Sequence, residues 1–285
     1  MNNLVVRSIS GVGLVALLTF CILWHPITYG VLFSIIILAM QYEYITINGA
    51  AKNNLFGELC SIIAGLTLFI TTFLVKGYGL PNKIIAISVI PLIALFVGSL
   101  YVKRYNNHSE NSSENNYTSF PFLSTSILYI ALPFTLINFI CFSTNGIYSG
   151  KILMSLMILL WCTDVGAFCL GSTLGQKYGK KLFPSISPKK SWYGFLGGII
   201  SAVVAAIILN YFKLLNISFI HSLILSILIS IFTVLGDLVE SQFKRNFAVK
   251  DSGNVIPGHG GMLDRFDGAL IAFPIGIIYL ILFVL

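Results

Sequence analysis

The chain has 285 residues, 56% of them apolar and 9% charged, with a formal charge of +7. Soluble domains carry roughly 25% charged residues, so this composition excludes a soluble globular enzyme. With no soluble basic domain it excludes a nucleic-acid binder as well, and the excess of Lys and Arg follows from the positive bias of cytoplasmic loops.

A membrane-crossing helix needs about 20 apolar residues. Runs of that kind predict nine spans: 9–25, 27–47, 59–75, 84–101, 122–142, 152–171, 195–212, 217–236 and 269–285. They are continuously apolar, without the alternation of a membrane barrel strand, and so read as helices. The fold class is therefore an all-α, polytopic integral membrane protein of about nine transmembrane helices. It forms a single membrane domain, 1–285, with N-terminal helices over 1–150 and a catalytic half over 151–285. The first span follows Arg7 as a signal peptide would, but no small-residue cleavage site comes after it, so it is kept as a membrane helix.

With the N-terminus inside, Lys76, Lys83, Lys151 and Lys213 fall outside, and the other thirteen of the 17 basic residues fall in the cytoplasm. Lys and Arg placement thus predicts N-terminus in and C-terminus out. Merging the weak span 84–101 with a neighbour would invert everything before it. The two charged loops, 172–194 and 237–268, would still share one side, because two spans separate them.

Along the first half, Glu43 stands near the cytoplasmic end of span two, where it can simply reach the interface. Residues 103–120, KRYNNHSENSSENNYTSF, read as a solvated linker. Asn107, Asn111 and Asn116 match the glycosylation pattern by composition alone. The five cysteines (Cys21, Cys60, Cys141, Cys162 and Cys169) all lie in apolar runs with no CxxC spacing, and read as packing residues. No internal repeat marks an inverted-repeat transporter.

The second half carries the chemistry. Asp164 sits inside span six, where an ionisable side chain is costly and is by default a functional hypothesis. Loop 172–194 holds five lysines (Lys177, Lys180, Lys181, Lys189 and Lys190). Lysines at that position bind anionic headgroups or simply mark the inside face. Ser187-Pro188 precedes Lys189 and Lys190 as a rigid turn, and Ser187 offers a hydroxyl to a phosphate.

Five of the ten acidic residues lie within 236–268: Asp237, Glu240, Asp251, Asp264 and Asp267. Asp237 and Glu240 are spaced i, i+3 at the end of span eight, and Asp264 and Asp267 repeat that spacing just before span nine. Each pair shares a helix face. Together they offer carboxylates to a hard cation, which takes oxygen ligands and substrate phosphates. The plain alternative is a set of interfacial ion pairs with Lys244, Arg245 and Arg265. His259, inside Gly258-His259-Gly260-Gly261, is a phosphate donor, a general acid or a turn residue, and the flanking glycines free backbone N–H groups to wrap an anion.

The residues then form a recognisable pattern. Ser241-Gln242-Phe243-Lys244-Arg245, Lys250-Asp251-Ser252-Gly253 and Pro257-Gly258-His259-Gly260-Gly261-Met262-Leu263-Asp264-Arg265-Phe266-Asp267 resemble the signature of phosphatidate cytidylyltransferases. Gly236-Asp237-Leu238, Asp164-Val165-Gly166-Ala167-Phe168 and Ser187-Pro188-Lys189-Lys190-Ser191-Trp192 resemble the family too, and Tyr193 departs mildly from it. The resemblance is strong over 160–268 and upstream amounts to hydropathy, Arg7 and the neighbourhood of Glu43.

That resemblance implies the reaction of CTP with phosphatidic acid, giving CDP-diacylglycerol and diphosphate, a step of phospholipid biosynthesis. It implies Mg²⁺ with a second cation beside it, membrane lipids as partners, and an assembly that is often a homodimer. It sets the enzyme in a bacterial inner membrane with its site on the cytoplasmic side. The expected roles are Asp237, Asp264, Asp267, Glu240 and Asp164 around the metal; Lys244, Arg245, His259 and Arg265 at the reacting phosphates; and Ser187, Lys189, Lys190 and Ser241 against substrate. A CTP-dependent polyprenol kinase is the nearest alternative and a transporter a remote one. The aspartate pattern of CDP-alcohol phosphotransferases is absent from the sequence.

Overall fold

The computed structural model describes residues 3–49, 54–101, 119–256, 258 and 260–285, with backbone alone at 3–7, 100 and 101. Lys52, Lys103, Arg104, Asn107, Asn111, Asn116, Pro257 and His259 lie outside the described residues, as does the side chain of Arg7.

In chain order the helices are α1 (Asn3–Trp24), α2 (Pro26–Asn48), α3 (Leu55–Tyr78), α4 (Val89–Tyr101, entered through a 3₁₀ segment Asn82–Ser88), α5 (Phe120–Ser126), α6 (Leu132–Cys141), α7 (Lys151–Leu170), α8 (Trp192–Tyr211), α9 (Phe219–Asn246) and α10 (Leu263–Phe283). A π segment, Ile127–Ala131, joins α5 and α6 into one crossing of the kind a single inserted residue produces. Among the described residues, eight helical stretches are long and apolar enough to cross a membrane. The first predicted span, 9–25, corresponds to α1, whose apolar stretch Ser8–Trp24 is shorter. The chain is an all-α, multi-pass membrane protein.

Local chemistry sets the helix ends. His25 Nδ1 accepts from the Ile27 amide 3.2 Å away, with Pro26 at the first helical position of α2. Asn54 caps α3 through the Gly57 amide at 2.8 Å, and Ser191 caps α8 through the Gly194 amide at 3.2 Å. Gly49 and Gly79 close α2 and α3 with φ of 70° and 68°, the left-handed geometry glycine adopts without strain.

The N-terminal half is a scaffold stitched by buried polar groups. Asn138 Oδ1 accepts from the Tyr29 hydroxyl at 2.9 Å, while its amide donates to Thr72 Oγ1 at 3.0 Å and to the Phe69 carbonyl at 3.2 Å. This ties α6 to α2 and α3, the interhelical bonding that substitutes for a hydrophobic drive in lipid.

The loops around the site differ from their expected bounds. Loop 172–194 is largely structured: a π turn, Gly171–Gly175, leads to an antiparallel hairpin of β1 (Lys181–Phe183) and β2 (Ser187–Ser191), with Lys181 paired to Ser191. Both strands of so small a sheet are edges, so Pro188 interrupts nothing. Loop 237–268 is shorter than predicted, because α9 continues to Asn246 and α10 begins at Leu263. The added turns of α9 carry their own support: Glu240–Lys244 at i, i+4, Gln242 donating to Asn246 at 2.9 Å, and Lys244 and Arg245 at the negative end of the helix dipole.

Candidate active site

Glycines bring together the helices that carry Asp164, Asp237 and Asp267. A Cβ on Gly236 would come within 2.5 Å of the Asp267 carbonyl and 2.9 Å of Gly268, and one on Gly268 would meet Thr233. The backbones of α9 and α10 therefore touch one residue away from Asp237 and Asp267. On the other side, a Cβ on Gly197 would meet the Gly166 carbonyl at 2.6 Å, and one on Gly194 the Ala167 carbonyl at 3.0 Å. Close approach through small residues is how helices pack in lipid, and here it sets Asp164 of α7 facing the α9–α10 pair.

Between these helices and the hairpin lies a cavity of about 660 Å³. Its wall includes Asp164, Asp237, Asp264, Asp267, Lys189 and Lys190, so six of the predicted site residues converge from α7, β2, α9 and α10. Ser172, Gln176 and Ser191 complete the polar part, while Ala167, Phe168, Leu182, Phe195 and Val234 supply the apolar part. A second cavity, of about 200 Å³, shares Asp164, Asp264 and Asp267 and reaches Arg265 and α1. Residues of both charged loops contribute to the larger cavity.

The carboxylates are firmly held. Asp264 Oδ2 accepts from the Ser252 amide at 2.9 Å and the Gly261 amide at 2.8 Å, and its Oδ1 accepts from Lys244 Nζ at 2.6 Å. Lys244 is bracketed on its other side by Glu240 Oε2 at 2.7 Å, an ion pair in which Glu240 is 1% exposed. Neither Glu240 oxygen gains a hydrogen bond of good geometry from any described residue. Asp237, the most open of the paired acids, meets Lys190 Nζ at 2.6 Å and accepts from Ser241 Oγ at 3.2 Å. Asp267 Oδ1 caps the Gly268 amide at 2.7 Å.

Other predicted residues stand apart from the cavity wall. Glu240 and Lys244 are absent from it and sit behind Asp264 as a buried support. Ser241 acts on Asp237, and neither Ser187 nor the exposed Arg245 lines the space. Arg265 faces the second cavity. Among the described residues, no group of three or more His, Cys, Asp or Glu side chains is close enough to hold a metal ion by itself.

Sequence reasoning undervalued Glu43. Instead of reaching the interface it is buried, 4% exposed, and accepts from the Met262 amide at 2.9 Å and the Leu263 amide at 2.8 Å. Ser252 Oγ donates to it at 3.4 Å. A carboxylate of α2 thus caps the N-terminus of α10, where charge-assisted bonds and the helix dipole both favour it. Its oxygens lie where a Cβ on Gly253 or Gly261 would have to go, which is why this loop carries glycine there. The available signals were a lone acid in an otherwise apolar run and the part its neighbourhood played in the family resemblance. Gln176, which donates to the Lys189 carbonyl at 2.7 Å, had no signal in sequence.

Clustered carboxylates and lysines line a cavity at the end of apolar helices, a set of groups suited to an anionic, phosphate-bearing ligand. The chain belongs to the cytidylyltransferase family, whose model matches residues 5–283. It is 42% identical over 153 residues to a phosphatidate cytidylyltransferase of Bacillus subtilis, a match spanning 54% of this chain and 55% of that protein. It is 36% identical to the one from Staphylococcus haemolyticus over 66% of this chain and 69% of that protein. It is 32% identical to one from Staphylococcus epidermidis over 84% of this chain and 94% of that protein.

Proposed function

We infer that the chain is a CTP-dependent nucleotidyltransferase that converts CTP and phosphatidate to CDP-diacylglycerol and diphosphate. The observation that carries this reading is the convergence of Asp164, Asp237, Asp264, Asp267, Lys189 and Lys190 on one cavity, in a chain of this family whose relatives bear that name.

The lipid phosphate is the nucleophile and attacks the α-phosphorus of CTP. A phosphate monoester loses its second proton near pH 6, so at neutral pH it needs no general base. The obstacle is repulsion between two polyanions. Phosphoryl-transfer sites overcome it by positioning and charge neutralisation, and Lys189 and Lys190 on the cavity wall are placed to neutralise the nucleotide.

The donor set fits Mg²⁺, which takes one or two carboxylates and completes its shell with substrate phosphates and water. Two of Asp237, Asp264 and Asp267 would hold it, with substrate phosphates and water completing the shell, and Asp164 faces the same space. A carboxylate has about four lone-pair sites, and the three bonds Asp264 accepts leave one for an ion. Bound there, the ion would neutralise phosphate charge and set the reacting atoms in line. Glu240 is left out of this set because it lies off the cavity and pairs with Lys244. A second cation, a homodimer and a cytoplasmic orientation remain part of the same proposal, the last supported by the Lys and Arg bias.

The test is transfer from labelled CTP to phosphatidate by the solubilised protein, with Mg²⁺ and with chelator. Label from the α-phosphate should enter the lipid only when Mg²⁺ is present. Entry of γ-label alone would make the chain a lipid kinase and overturn the reading.

A further inference from the structure

We propose that the two substrates occupy different chambers: the nucleotide the larger cavity, and the glycerol and first methylenes of phosphatidate the smaller one between α1 and α7. The proposal rests on the activity inferred above and adds where the lipid sits.

The smaller cavity shares Asp164, Asp264 and Asp267 with the larger, so these three side chains form a wall with a chamber on each face. The chambers differ in chemistry. The larger carries Lys189, Lys190, Ser172 and Gln176. The smaller is lined by Leu14, Val15, Leu18, Met157, Leu160 and Trp161, with Arg265 as its cation. Apolar walls suit the acylglycerol part of a lipid and suit a triphosphate badly, because a buried charge without partners is costly.

The stereochemistry of the reaction asks for such a division. In phosphoryl and nucleotidyl transfer the attacking and leaving oxygens lie roughly in line on opposite sides of phosphorus. If the diphosphate leaves toward Lys189 and Lys190, the lipid phosphate must attack from across the aspartate wall, which is the side of Arg265. The O–P bond to the lipid phosphate forms as the bond from α-phosphorus to the diphosphate oxygen breaks, and the electron pair departs with diphosphate.

Helix α1 separates the small chamber from the surroundings of the fold. Its outer face is apolar and open, with Ile9 60%, Val12 71% and Phe20 52% exposed, as a lipid-facing helix should be. The chamber is too small for two whole acyl chains, so it takes the headgroup end and the chains continue into the bilayer past α1.

Single cysteines in a cysteine-free, active background test this in nanodiscs: Leu14→Cys reports the small chamber and Ser172→Cys the large one. A ligand held at ten times its Kd leaves about a tenth of sites free and so slows labelling by a small thiol reagent about tenfold. Dioleoyl phosphatidate should slow labelling of Leu14→Cys relative to phosphatidylcholine alone, and CTP should slow that of Ser172→Cys. Protection of Ser172→Cys by phosphatidate with none at Leu14→Cys, or equal protection of Leu14→Cys by phosphatidylcholine, overturns the two-chamber arrangement. Failure of the function itself shows separately, as absent α-label transfer in the unmodified protein. Gly11 of α1 also lines the small chamber; as a second readout, Gly11→Leu should raise KM for phosphatidate about tenfold while KM for CTP stays within twofold, a loss of about 1.4 kcal/mol in lipid binding. An equal rise in both would point to general damage and overturn the assignment.

Discussion

Lys244 Nζ stands 2.6 Å from Asp264 Oδ1, and the same ammonium is 2.7 Å from Glu240. A cation expected to meet the triphosphate is therefore taken up inside the protein, bridging two acids. Removing one member of a buried pair leaves an uncompensated charge, at about 3–5 kcal/mol in soluble proteins. Lys244→Met should therefore lower thermal stability sharply. Lys244→Met with Glu240→Gln should recover part of the loss, because the double variant no longer buries an unpaired Glu240. Thermal unfolding of the four proteins in detergent checks this, and additive losses would show that Lys244 and Glu240 are not coupled.

Asp264→Asn should abolish turnover without disturbing membrane insertion. The asparagine keeps one oxygen for the Ser252 and Gly261 amides but loses the charge that Lys244 and a metal ion require. Losses of 10- to 100-fold are usual when residues that only orient a metal's ligands are altered, and a residue in direct contact should exceed that range. Diphosphate release together with monodisperse elution is the measurement. Activity like that of the unmodified protein would remove Asp264 from the site.

How much of this was legible in sequence depended on the range of the interaction. Helical class follows from runs of apolar residues, a local property, and the structure keeps it, with eight stretches among the described residues long and apolar enough to cross a membrane where nine were expected. The carboxylates at i, i+3 were visible because each pair lies within a single helical turn. For Lys244 the sequence left two readings, phosphate contact or an ion pair with these acids, and could not choose the pair, since its partner Asp264 is 20 residues away and only the folded loop brings them together. Glu43 is the extreme case: its bonds to Met262 and Leu263 span 219 and 220 residues, and nothing near position 43 reveals them. The end of α9 was misplaced for a simpler reason. Hydropathy falls at Asp237, but a helix stabilised by its own ion pairs continues into the polar region.

The contact between Gly236 and Gly268 predicts a graded response to side-chain size. Gly236→Ala would force its methyl against the Asp267 carbonyl, and Gly236→Val would force α9 and α10 further apart. Overpacking of this kind costs about 1–3 kcal/mol. Turnover should fall progressively from Gly to Ala to Val, with the Mg²⁺ concentration for half-maximal rate rising in the same order. Equal activity in all three would mean that the separation of Asp237 and Asp267 does not matter to the reaction.

Glu43 offers the strictest test of how α10 is set in place. Glu43→Gln keeps one acceptor oxygen for the amides of Met262 and Leu263 and places an NH₂ where the other oxygen was. At least one buried donor then loses its partner, which costs about 1–3 kcal/mol. The first turn of α10 also loses the negative charge that favours its N-terminus. Both effects fall on the segment holding Ser252, Gly261 and Asp264, so the damage should be local. Hydrogen exchange should quicken at the amides of 252–264 while those of α3 and α6 keep their protection, and kcat should fall at least tenfold. Glu43→Asp should restore activity only in part, because a side chain one methylene shorter cannot reach both amides from α2. If exchange at 252–264 were unchanged in Glu43→Gln, the hydrogen bonds from α2 would not be what holds the aspartate-bearing end of α10.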